Sequence, residues 1–80
     1  MKAYVIVKDG AVLIDKGIFA RRYDASVAVG ELATEFVDKN SYIKPTVDYD
    51  FEGGIALVMV DGKIKTIFNV VESEVKGKLA

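Results

Sequence analysis

Ile55-Ala56-Leu57-Val58-Met59-Val60, closed by Asp61-Gly62, is the stretch that decides how this 80-residue chain folds. A strand with one face in water alternates apolar and polar side chains. This one is apolar throughout, so both of its faces require cover. Asp-Gly supplies the two positive-φ positions of a type I′ turn, so the run doubles back as a hairpin into residues 63–71. In that second arm, unbroken alternation would put Ile64, Thr66, Phe68 and Val70 on one face. Lys63, Lys65, Ile67, Asn69 and Val71 would then share the other.

Working outward, Val47-Asp48-Tyr49-Asp50-Phe51-Glu52 alternates apolar with acidic and reads as a one-sided strand, broken by Gly53-Gly54. Residues 2–8 are rich in Val, Ile and Tyr and form a strand that turns at Asp9-Gly10 into residues 11–14. Asp15-Lys16-Gly17 interrupts that second arm as a bulge before Ile18-Phe19-Ala20. Between the two β regions, residues 24–39 place apolar side chains at 25, 28, 29, 32, 33, 36 and 37, the face of a helix. Asp24 suits its N-cap, and Asn40 suits a left-handed C-cap. Gly30 costs such a helix up to ~1 kcal/mol relative to Ala, which close packing on a sheet explains better than a functional role. Pro45 pushes Lys44 toward an extended conformation. Residues 72–80 alternate charged with small apolar residues and read as a frayed tail, leaving 1–71 as the domain.

The order ββαβββ predicts an α+β fold: an antiparallel sheet of four to five strands with one amphipathic helix packed on one face. One helix cannot cover both faces of a sheet. The alternative to an uncovered face is a sheet curled into a closed barrel. An apolar sheet face of several hundred Å² is uncommon on a soluble monomer and marks an interface. The sequence therefore predicts a homodimer, with Tyr4, Ile6, Val58 and Ile67 at the contact; a heterologous protein is the second candidate partner.

Composition narrows the function further. Eighty residues bury only about two-thirds of their unfolded surface, so small folds lean on disulfides, metals or oligomerisation. There is no Cys, which excludes disulfides, and no His, which removes the usual zinc ligand sets. Absence of both also removes the commonest general base and nucleophile. Eleven basic against twelve acidic residues give a net charge of −1, without the basic surplus of nucleic-acid binders. No apolar run approaches the ~20 residues of a membrane span, and no signal sequence is recognisable, so the chain is expected to be soluble and cytoplasmic.

Two side-chain sets are candidate sites. Asp48, Asp50 and Glu52 share one strand face at a spacing of about 7 Å, within the range of hydrolase carboxylate pairs or a hard-cation site. A solvated outer face explains that row more simply. Its sharper functional version is an acidic strand imitating a phosphate backbone, as in small inhibitors of the phage or mobile-element type that block nucleic-acid-handling proteins. Arg21, Arg22, Lys63 and Lys65 are the basic residues that a weak nucleic-acid binder would use. Gly53-Gly54 does not lead into a helix and cannot act as a phosphate loop. No catalytic set, metal site or cofactor is predicted, and the expectation is a non-enzymatic interaction protein.

Overall fold

The computed structural model describes residues 2–74, in which one helix lies across a five-stranded antiparallel sheet. The strands are β1 (Lys2–Lys8), β2 (Ala11–Val12), β3 (Thr46–Asp50), β4 (Ile55–Val60) and β5 (Lys63–Glu74), and the helix α1 spans Arg22–Lys39. Their order across the sheet is β2-β1-β5-β4-β3, so β5 is central, paired through a hairpin with β4 and at long range with β1. The α+β class read from the sequence is the class observed.

The core lies between α1 and one face of the sheet. Ile6 of β1, Ala56 and Val58 of β4, and Phe68 of β5 pack against Val29 and Ala33 of the helix. Leu13, Phe19, Leu32 and Phe36 close the margins of this cluster. Lys8 extends over the rings of Phe36 and Phe68, 5.7 Å from each centroid, and caps one end with its charge outward.

A β-bulge decides which side chains reach this core. The Asp61-Gly62 turn fixes Val60 opposite Lys63 and Met59 opposite Ile64. Continued without interruption, that register would turn Thr66, Phe68 and Val70 away from the helix. Instead Val58 pairs with Thr66, leaving Lys65 as the extra residue, and parity beyond it is reversed. Unbroken alternation had placed Ile64 with Phe68; the bulge puts Ile64 on the opposite face, beside Ile67. The bulge is tied down from outside its hairpin. The Asp9 carboxylate accepts from Thr66 Oγ1 at 2.7 Å and from the Ile67 amide at 2.9 Å.

Five local expectations are corrected. The helix starts at Arg22, and Asp24 is not its cap; Asp24 lies in the first turn and pairs with both Arg21 Nε (2.8 Å) and Nη2 (3.0 Å). Asn40 ends the helix with φ −121°, its Nδ2 donating to the Phe36 carbonyl, so a side-chain bond replaces the left-handed cap. The left-handed residue is Lys44 (φ 53°), which closes a 3₁₀ turn over Ser41–Ile43 through its amide to the Ser41 carbonyl. The second arm of the first hairpin is only two residues long. After it the chain leaves the sheet in a 3₁₀ turn at Ile14–Lys16 and touches β1 again through Phe19, bonded both ways to Tyr4. Glu72 to Glu74, read as tail, continue β5 and pair with Lys2–Tyr4; the rest of that tail lies outside the described residues.

Candidate functional site

Alternation from the paired registers assigns every strand residue to a face. Opposite the helix lie Val5 and Val7 of β1, Val12 of β2, Ile55, Leu57 and Met59 of β4, and Ile64, Ile67 and Val71 of β5. Three of these are largely open to solvent, Val12 at 50%, Ile64 at 56% and Val71 at 39%. The others are half-buried, and Ala3 of β1, on the same face, is 5% exposed. Among the described residues no helix or loop packs on this side: the helix, Leu13 and Phe19 all serve the other face. The polar margin comes from Asn69 and, on β3, from Thr46, Asp48 and Asp50.

Of the four residues expected at the interface, the structure puts only Ile67 on this face. Ile6 and Val58 are 0% exposed beneath the helix. Tyr4 shares the parity of Ile6 and sits at the margin of the covered side. The mistake is one of parity. An all-apolar strand carries no polar residue to mark its inner side, so sequence alone could not separate Val58 from Leu57 and Met59.

The acidic row is shorter than expected. Asp48 and Asp50 do share the helix-free face of β3, but Glu52 lies in the turn after the strand, where its carbonyl accepts from Arg22 Nη1. Asp50 is itself engaged in that turn, accepting the Gly53 amide at 3.0 Å. The basic residues are not gathered either. Arg21 and Arg22 are held at the end of the sheet where β4 begins, while Lys63 and Lys65 flank its other end, about 17 Å along the strand. No group of three or more potential metal-ligating side chains occurs among the described residues.

A concavity runs along the outer side of β3, between that strand and α1. This open groove has a volume of about 680 Å³, with Val27, Gly30, Tyr49 and Phe51 as its apolar wall and Glu31, Thr34, Glu35, Asp38 and Lys39 along the helix rim. Gly30 makes it possible: a Cβ there would meet the Tyr49 ring at 3.0 Å. Tyr49 crosses under the helix to donate from its hydroxyl to the Ser26 carbonyl, and burial raises its pKa above the usual 10.0. Phe51 stacks edge-on with both Tyr23 and Tyr49, at 5.2 and 6.3 Å between centroids. The close approach inferred from Gly30 is thus a contact with an edge-strand tyrosine. The groove itself left no signal in the sequence, because its two walls are about 20 residues apart along the chain.

Compared with protein-family models, curated proteins and solved structures, the chain matches none.

Proposed function

We propose that the protein is a non-enzymatic interaction module that associates with a second copy of itself through the helix-free face of its sheet. The uncovered row Val5, Val7, Leu57, Met59, Ile64 and Ile67 is the observation that carries this reading. Two such faces packed together bury both rows and give a four-layer arrangement, helix–sheet–sheet–helix, with sheets about 10 Å apart. A two-fold contact is self-complementary, and this face is apolar at its centre with its charges confined to β3 at one side. Apolar on apolar needs no matched charges, so one surface can serve both partners.

Met59→Lys tests the reading, because Met59 lies on the open face and its replacement leaves the core untouched. In light scattering coupled to size exclusion, the wild-type chain is expected at twice its monomer mass, and Met59→Lys at the monomer mass with an unchanged circular dichroism spectrum. A wild-type chain that stays monomeric at high micromolar concentration contradicts the reading.

A further inference from the structure

The two edges of the sheet are treated differently. At the β2 edge only two residues pair, the chain then turns away, and a single bridge at Phe19 covers part of what remains of β1. Short, deflected edges of this kind resist pairing with other chains. At the β3 edge nothing similar happens. Thr46–Asp50 is a regular five-residue strand, paired on one side with β4 in unshifted register and last in the sheet order. In an antiparallel edge strand, every second residue directs its N–H and C=O outward, with no partner in the sheet.

We propose that this edge, with the groove beside it, takes up an extended segment of another protein as a sixth strand, and that the segment alternates apolar residues with lysine or arginine. Strand addition derives affinity from the main chain and specificity from pockets for alternate side chains. Side chains on the helix side of an added strand would enter the apolar groove against Val27, Gly30 and Phe51. Those on the other side would lie next to Asp48. The charges select a basic partner. Glu31 and Asp38 on the rim and Asp48 on β3 are exposed and have no ion-pair partner among the described residues, while the rim's one lysine, Lys39, is bonded to Glu35 at 2.7 Å. The same charges reject a second copy at this edge. An antiparallel pairing of β3 with itself centred on Asp48 sets that residue against its own equivalent, and one centred on Tyr49 sets Asp48 against Asp50. The inference is independent of the sheet-face dimer, which leaves the β3 edge free.

The test uses the full-length chain, a fluorescein-labelled ten-residue peptide alternating valine and lysine, and two control peptides: one with glutamate for lysine, one with proline at its centre. Saturable binding is expected for the lysine peptide alone. Amide shifts and new hydrogen-exchange protection should centre on Thr46–Asp50, Val27 and Gly30. The triple variant Glu31→Lys/Asp38→Lys/Asp48→Lys, all at exposed positions, should weaken the lysine peptide about tenfold or more and gain binding to the glutamate peptide. Equal binding of the proline peptide would mean charge attraction without strand addition and would overturn the proposal. Absence of binding, or shifts centred on the helix-free face, would overturn it as well. The peptide controls decide the matter even where the triple variant does not fold.

Discussion

Ile6, Val58 and Phe68 lie under the helix and are at most 3% exposed; Val5, Leu57 and Ile67, each one residue away on the same strands, look out from a face on which no helix or loop packs among the described residues. The two rows have nearly the same composition. What separates them is a second layer, since burial follows from what packs on a face and not from how apolar its residues are. A row of aliphatic side chains left without that layer retains the hydrophobic free energy that its twin has already realised, about 25 cal/mol per Å² of apolar surface removed from water. The proposed self-association would let the open row realise it.

The largest expected effects come from disturbing the covered face. Val58→Lys places an unpaired charge in the core and should leave the chain unfolded by circular dichroism. Ile6→Ala should cost about 2–5 kcal/mol in urea denaturation, a large part of the roughly 4–12 kcal/mol available to a domain of this size. On the open face, Leu57→Lys should behave in the opposite way: the far-ultraviolet spectrum is kept and the oligomer is lost. If Leu57→Lys unfolds the chain as Val58→Lys does, the two faces are not distinct and the comparison fails.

Smaller changes probe what keeps the faces apart. Tyr49→Phe removes the bond to the Ser26 carbonyl that fastens the helix to β3, and a loss of about 0.5–1.5 kcal/mol is expected by denaturant titration. The Asp9 carboxylate fixes the bulge that sends Phe68 inward and Ile67 outward. The Thr66 hydroxyl, then the Ile67 amide, hold its pKa below the usual 3.8. A depressed carboxylate pKa means that the unfolded chain binds the proton more readily. Its contribution is therefore complete above about pH 4 and is lost as pH falls through the lower, folded value. Asp9→Asn should cost about 1 kcal/mol at neutral pH and flatten the acid side of the stability profile. An unchanged acid slope would show that the bulge does not depend on this carboxylate.

Much of this architecture can be read from the residues alone. Periodic apolar positions mark the helix, the two Asp-Gly turns mark both hairpins, and the apolar run at residues 55–60 implies more sheet surface than one helix covers. The assignment of faces cannot be read so directly. Alternation carries the parity of β3 correctly, because Asp48 and Asp50 label its outer side. β4 has no such label, and β5 has a misleading one, since Lys65 is the bulge residue and not a face marker. Ile6 and Val58, expected at the interface, lie in the core, while Leu57 and Ile64 carry no mark in the sequence that places them on the open face. Local caps were harder still. Lys44, and not Asn40, takes the left-handed conformation, because two local bonds, Asn40 Nδ2 to the Phe36 carbonyl and the Lys44 amide to the Ser41 carbonyl, outweigh single-residue preference.

Sedimentation equilibrium over a range of loading concentrations is the most direct examination of the open face, run on the wild-type chain beside Met59→Lys. The account predicts a wild-type mass rising to twice that of the chain while the variant holds the monomer mass with its fold intact. A wild-type protein that sediments as a single chain at every concentration, indistinguishable from Met59→Lys, would contradict it.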